Sequence, residues 1–407
     1  MSKHFDVAVI GGGAGGLFYT TIGAQARKDL SFAVIEKNQR VGKKLLATGN
    51  GRCNLTNIYA NKENYHSSFA PFVEDVLKLC PSQKVLDVFK DFGLLTRADD
   101  FGRVYPKSNQ ASSVLDVLRF NCEKENVSFF CENKVISVAK NKGKFTITTD
   151  KEIFTSDKVV FATGGAAAPK AGGDRSGCDI LRSLGHSITK LSPALCPVQV
   201  KSQYLKTLKG IRIQGEVSLL LNSKEVAAEY GEIQFTENAI SGICVFNLSQ
   251  YIEKGKDYTL RLKLMNEYSF GEISEILSNN RKVFANLDAE NLFAGIFHKR
   301  IAQVLLKTAK ISFDKKVSDI TDKELKSLAG LINAFDFEVL GLGDFNTAQV
   351  TKGGVKGDEV IPDTLESKKI KGLYIIGETL DCNGDCGGYN LQFAFATAYL
   401  AAQNLYD

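Results

Sequence analysis

The first long apolar run, Val7-Ala8-Val9-Ile10, shows no polar alternation, which predicts a strand buried on both faces of a parallel sheet. It leads into Gly11-Gly12-Gly13-Ala14-Gly15-Gly16, an amphipathic helix over Leu17 to Lys28, and a second apolar strand, Phe32-Ala33-Val34-Ile35, closed by Glu36. Apolar residues at helical spacing predict further helices from Phe72 to Leu79, from Gln83 to Phe92 with Ser82 as N-cap and Gly93 as stop, and from Ala111 to Lys124. Three short strands should follow, Lys134 to Val138, Lys144 to Thr149 and Glu152 to Thr155, with Asn141-Lys142-Gly143 supplying the first turn. A separate buried strand, Val159 to Ala162, ends in Thr163-Gly164-Gly165.

Past about Ser192 the pattern changes. Pro193 and Pro197 bracket a junction, and Val198 to Leu264 is rich in short alternating strands such as Gly215 to Leu221. Helical periodicity returns from Ser269 to Lys310 and from Asp322 to Phe335. A last buried strand, Gly372 to Glu378, precedes Gly387-Gly388-Tyr389-Asn390-Leu391-Gln392, which opens an Ala- and Phe-rich helix running to about Leu405. The expected class is α/β. A Rossmann-like domain is drawn in two segments, 1–192 and 351–407, around a β-barrel module at 193–268 and a small helical domain at 269–335, with 336–350 returning a strand to the barrel.

The βαβ unit carries the first chemistry. Gly11 permits the tight turn, Gly13 lets the backbone approach a pyrophosphate, and Gly16 lets helix and strand pack closely, with Ala14 and Gly15 between them. Glu36 ends the second strand, about twenty residues past the last glycine, where a carboxylate can accept from ribose hydroxyls. Downstream lies a polar loop with Lys37, Arg40, Gly42, Lys43 and Lys44, then Gly49, Gly51, Arg52 and Asn54, able to lay donors and cations along a diphosphate. The free N–H groups of the last helix, at Gly388 to Leu391, would stabilise an anion on a flavin ring. The βαβ unit alone fits NAD or FAD equally. The distant helix start, the Lys43 loop and the lack of a second GxGxxG after a strand together select FAD.

Composition adds mainly exclusions. Across 407 residues, 51 Lys and Arg stand against 46 acids, interspersed, which argues against nucleic acid as a partner. The first residues lead straight into a strand without a signal-like apolar region, and no run is long enough to cross a bilayer, so a cytoplasmic, non-membrane protein is expected. The 9 cysteines form no disulfide framework; Cys80, Cys122, Cys131, Cys196 and Cys244 read as core residues, and Cys382 with Cys386 lack C-x-x-C spacing. No metal is expected, because His4, His66, His186 and His298 are dispersed.

The glycine run with Glu36, the stretch Gly42 to Asn57, Thr351-Lys352-Gly353-Gly354-Val355 and Gly387 to Gln392 together resemble the BaiN-like flavoproteins, also called YhiN-like or aminoacetone-oxidase-like. Two central segments depart from the family pattern: Phe235-Thr236 with Ile240-Ser241-Gly242 lacks the family's His and Pro, and Thr163 to Gly177 has lost several hydroxyls. The resemblance implies an FAD-dependent oxidoreductase, with Ala14, Glu36, Gly42, Lys43, Val135, Gly377, Glu378, Asn390 and Leu391 as FAD contacts. Thr163, Gly164 and Tyr389 join the cofactor candidates, and Lys352, Arg52 and Asn54 are the catalytic ones, with Thr351 and Gln392 beside them. Lys352 serves as a base if desolvation frees its amine, or else as the holder of an anion. A hydride equivalent would pass between flavin N5 and a small molecule, an amine or an enone, with NAD(P)H or oxygen as redox partner. The competing expectation is a flavin-binding sensor without turnover. Substrate and oligomeric state are left open.

Overall fold

The apolar runs at 7–10 and 32–35 become strands buried at every position, as a sheet covered on both faces requires. Strand β1 (Lys3–Ile10) pairs in parallel with β2 (Phe32–Ile35), and α1 (Ala14–Ala26) makes the crossover. The helix starts at Ala14, ahead of the expected Leu17, because Gly15 and Gly16 join its first turn. This is a computed structural model, and it describes residues 3–405.

Strand β3 (Ile153–Phe161) is one continuous strand where the sequence pattern suggested two, Glu152 to Thr155 and Val159 to Ala162. The reason is β1, which pairs along nearly all of it, from Lys3 with Phe154 to Ile10 with Phe161. The opposite edge of β3 changes partner. Lys144–Thr149 runs antiparallel to its first half, and β4 (Leu373–Ile375) runs parallel to its second. The full order is Ser128–Phe130, β2, β1, β3, Lys144–Thr149, Val135–Asn141, with β4 beside β3. Helix α2 (Tyr389–Gln403) is buried on most faces and packs on α1, where Phe18 meets Phe395 at a ring separation of 4.9 Å.

Two local expectations resolve differently. The helix expected from Gln83 spans Ser82–Asp91, so Ser82 is its first residue and Pro81 its cap, with no side-chain cap bond. Proline suits a helix start because it brings no N–H of its own. Gly93 does end that helix, at φ +93°.

The chain divides into two compact units, Met1–Ala194 with Phe345–Asp407, and Leu195–Asp344. Residues 345–350, assigned to the barrel side by sequence pattern, fall in the first unit: Phe345 accepts from Ala168 N–H, and Val350–Lys352 pairs with Ser192–Ala194. The second unit holds a closed barrel of strands 198–201, 239–241, 224–235, 212–221, 258–263 and 335–342. Its helices, Phe270–Val283, Lys299–Thr308 and Asp322–Asn333, share one apolar core with the barrel, including Leu260, Ile273, Leu305 and Leu328. The Phe235 to Gly242 segment is a barrel turn: a Cβ at Gly242 would lie 2.0 Å from the Glu232 carbonyl oxygen. Among the described residues, no helix is long and apolar enough to cross a membrane.

Candidate functional site

The C-terminal ends of β1 and β3 set down two glycine turns side by side. Gly11 adopts φ +105°, and a Cβ there would lie 2.5 Å from Ala162 O; a Cβ at Gly16 would lie 2.0 Å from Gly11 O. Those two glycines are demanded by the protein's own packing. Gly13 is different, because a Cβ there would meet nothing within 4 Å. Gly11, Gly13, Ala14, Gly15, Ala162, Thr163 and Gly164 are only half-buried, although the strand ends that deliver them, 7–10 and 159–161, are buried. The result is a shallow cradle of small residues at the sheet's C-terminal edge, beside the start of α1, which no side chain caps.

Glu36 is 7% exposed and already organised by the backbone: Gly12 N–H donates to Oε2 at 2.9 Å, and Asn38 donates N–H and Nδ2 to Oε1 at 2.8 and 2.6 Å. Its own carbonyl accepts from Asn133, which brings the 132–135 segment and Val135 alongside. Lys37 pairs with Asp174. Gly42 N–H donates to Gly12 O at 2.7 Å, so Lys43, exposed, begins a short helix beside the glycine turn. Lys44 instead reaches Glu378, 2.7 Å away, and Glu378 also accepts from Thr351 N–H at 2.7 Å. Gly164 N–H donates to Thr379 Oγ1 at 3.1 Å, and Gly377 takes φ +65° with its N–H on Thr397 Oγ1. Thr163, Gly164, Gly377 and Glu378 are thus one cluster.

The start of α2 closes the other side. Gly388 caps it at φ +102° without a side-chain cap, Asn390 holds the preceding turn through Gly384 N–H and C=O, both at 2.8 Å, and Leu391 is half-buried. Gly388 lies against the 49–57 loop: a Cβ there would be 2.5 Å from Thr56 O and 2.7 Å from Asn54 Oδ1. Asn54 Oδ1 is buried and has no hydrogen-bond partner. Gly49 and Gly51 both take positive φ in that loop, while Arg52 is exposed, stacked 4.8 Å over the Tyr105 ring. Gln392 does not line the surface as expected. It is fully buried, accepts from Thr56 Oγ1 at 2.7 Å and donates to Cys80 O at 3.2 Å, which makes it a tether between α2 and the loop.

Lys352 lies away from these glycines' immediate contacts, in the wall of a cavity of about 490 Å³ shared with Lys190, Asp381 and Asn383. This cavity also holds a residue that sequence reading passed over. His66 Nε2 sits 3.0 Å from Asp385 Oδ1, both side chains 19% exposed. Nothing in residue spacing signals that pair, which forms because the two-residue strands Tyr65–His66 and Asn383–Gly384 meet antiparallel. Nor does a dithiol lie exposed here: Cys382 is buried, which pushes its thiol well above the ordinary range.

The family model described as "HI0933-like protein Rossmann domain" matches residues 5–404. The chain belongs to that family. It is 34% identical over 98% of its length, and 98% of the relative's, to a 3-dehydro-bile acid delta(4,6)-reductase of Clostridium scindens. It is 28% identical over 99% of its length, and 98% of the relative's, to a ribosomal RNA dihydrouridine synthase of Escherichia coli. Among solved structures, a 3-ketosteroid delta1-dehydrogenase of Sterolibacterium denitrificans superposes with a TM-score of 0.51 at 13% identity, covering 99% of both chains. That likeness shows the fold. The HI0933-like family is the BaiN/YhiN-like flavoprotein family, and this member is an oxidoreductase of the FAD-dependent class.

The residues present in this HI0933-like chain fit FAD. Gly13 leaves room where a diphosphate must approach, two helix starts lack side-chain caps, and the buried Asn54 oxygen lacks a donor of the kind that ribityl hydroxyls and a flavin imide carry.

Proposed function

We propose that this HI0933-like flavoprotein reduces an activated carbon–carbon double bond, one conjugated to a carbonyl, in a small organic substrate. The observation that carries the reading is the cavity of about 490 Å³ whose wall combines Lys352, His66 and the segment leading into α2. Such a double bond needs a cationic or hydrogen-bonding group for its carbonyl oxygen and an apolar wall for its carbon frame. Lys352 and Lys190 supply the first, and Ala70 and Val73 the second. The two relatives' names support the same class, since a delta(4,6)-reductase and a dihydrouridine synthase each add hydrogen to an unsaturated substrate.

FAD supplies the hydride equivalent, at N5. In this reading Gly11, Gly13, Ala14, Gly15, Gly16, Gly42, Lys43, Gly49 and Gly51 hold the diphosphate, and Glu36, Lys37 and Val135 the adenosine. Thr163, Gly164, Gly377, Glu378 and Gly388 to Leu391 hold the flavin end. Glu36 suits its part because Gly12 and Asn38 fix its carboxylate, leaving lone pairs for ribose hydroxyls. Arg52, packed on Tyr105, is assigned to shaping the 49–57 loop, and Asn54 to accepting from the flavin. NAD(P)H, if it is the donor, would visit the flavin transiently, and oxygen would be an alternative acceptor.

The test is anaerobic. Protein with bound FAD is reduced chemically, then offered an enone panel, a uridine-containing ribosomal RNA transcript, simple amine-derived imines and finally oxygen. Rapid reoxidation by an enone supports the reading. Reoxidation by the RNA alone moves the substrate to the class named for the Escherichia coli relative, and reoxidation by oxygen alone removes the reductase assignment.

A further inference from the structure

A double bond reduced by hydride addition leaves a carbanion or enolate that must take up a proton, and the groups around the cavity can be sorted by whether they have one to give. Tyr65 donates its hydroxyl to Tyr389 O at 3.1 Å, and burial drives its ionisation well above the ordinary range. Asp381, 5% exposed, accepts from Ser68 N–H at 3.3 Å and from Ser68 Oγ–H, so both partners are engaged with each other. Lys62 lies within 3.5 Å of Glu74. His66 is the group built for proton exchange: its Nε2 faces a carboxylate at 3.0 Å, and its ring is in the cavity wall.

The backbone that carries the carboxylate is tied on both sides. Asp385 N–H donates to Asn64 O at 2.9 Å, and Asp385 O accepts from Asn390 Nδ2 at 3.3 Å. His66 pairs with Asn383 in the two-strand ladder. The dyad therefore rests on the same turn that opens α2, the element assigned above to the flavin end.

We propose that His66 is the proton donor of the reduction and Asp385 its positioning residue, with Lys352 steadying the substrate's carbonyl oxygen. The proposal rests on the reductase reading above. Asp385 accepts from Nε2–H, which fixes the ring, and the imidazolium is the acid. Bound FAD, once reduced, would supply the two electrons and one hydrogen that the β-carbon receives as hydride. The π pair of the broken double bond then takes the imidazolium proton at the α-carbon, the product gains two hydrogens in all, and the neutral imidazole regains a proton from water.

The experiment uses the FAD-loaded protein and its His66→Gln and Asp385→Asn variants, both first checked for unchanged FAD content and visible spectrum. Each is reduced anaerobically and mixed with the best enone of the panel, and separately with oxygen, which needs no proton from this site. The expected result is a loss of about 10²-fold to 10³-fold in enone reoxidation for His66→Gln, with oxygen reoxidation within about twofold of the parent. Asp385→Asn should lose about tenfold, and nitrogen NMR of histidine-labelled protein should show the His66 ring pass from one Nε2–H tautomer to a mixture. Enone reoxidation that survives His66→Gln within about threefold overturns the role while leaving the reductase reading standing. A parent protein that no enone reoxidises overturns that reading and this role together. If His66→Gln fails to retain FAD, Asp385→Asn decides, since an unchanged tautomer with unchanged enone rate also overturns the assignment.

Discussion

The two units of this chain are stabilised differently. The first buries Glu36, His186, Thr351, Thr379, Asp381 and Gln392. In the second, the buried polar side chains among the described residues are Ser218, Ser241, Ser249 and Gln250. Its charges sit outside, as in Arg261 with Asp336 and Lys201 with Glu338. Burying a polar group without a matched partner costs about 1–3 kcal/mol. The first unit accepts such groups repeatedly and partners nearly all of them. The barrel unit buries few of them and packs mainly apolar side chains.

The largest effect should follow from testing that distinction at the glycines. Gly16→Ala places a Cβ 2.0 Å from Gly11 O, so backbone must move, and the loss should exceed about 3 kcal/mol in denaturant unfolding. Gly13→Ala meets nothing within 4 Å, at a φ of −85° that alanine accepts. Its unfolding should stay within about 0.5 kcal/mol of the parent, while FAD affinity, read by flavin fluorescence, falls at least about tenfold. Equal stability losses for both variants would mean the turn is merely structural.

Next comes the barrel. Leu260 is fully buried within the apolar core of its unit, and Leu260→Ala should cost about 2–4 kcal/mol through the lost contacts and the cavity. The flavin spectrum of the folded protein should not change. A shifted spectrum would show that the barrel does more than pack.

A smaller effect is written into acid titration. His186, 2% exposed, donates Nδ1–H to Glu359 Oε2 at 3.0 Å and accepts from Ser367 Oγ at 3.1 Å. Burial holds this imidazole below its usual 6.5, with Glu359 working against it. Burial also acts to raise Glu359, but the Lys369 ammonium, Ser187 and His186 donate to the carboxylate and together bring it from 4.5 down to about 2. Both groups are depressed in the folded state, so the unfolded chain takes up protons first as pH falls. Stability should decline below about pH 6.5 and again from about 4.5 to about 2. Glu359→Gln should flatten the lower step in a pH series of thermal unfolding; a lower step of unchanged depth would assign it elsewhere.

What the sequence shows of this molecule follows the range of its interactions. The βαβ unit is legible because its strands, glycines and acid are consecutive, and Gly11 and Gly16 are required by the adjoining strand and by the turn itself. The unbroken β3 is not, because Asp157 and Lys158 interrupt the apolar pattern and only β1 pairing carries the strand through them. His66 with Asp385 is hidden for the same reason, being made by a ladder between residues 319 apart in sequence. Gln392 shows the converse. Its place in a glycine-led motif suggests a ligand contact, yet its amide is closed off between Thr56 and Cys80.

The smallest predicted effect concerns a charge pair at the edge of the cradle. Lys44 and Glu378 meet at 2.7 Å with side chains 30% and 19% exposed, so water still screens the pair. Glu378 is held independently by Thr351 N–H, and removing the lysine should not release it. Lys44→Gln should therefore lower stability by less than about 1 kcal/mol, a loss that shrinks further in about 1 M salt as screening tightens. A loss above about 2 kcal/mol that survives salt would place this pair among the unit's structural bonds. The contrast with the barrel would then rest on its neutral buried groups, because its charges would be supporting the fold rather than awaiting a ligand.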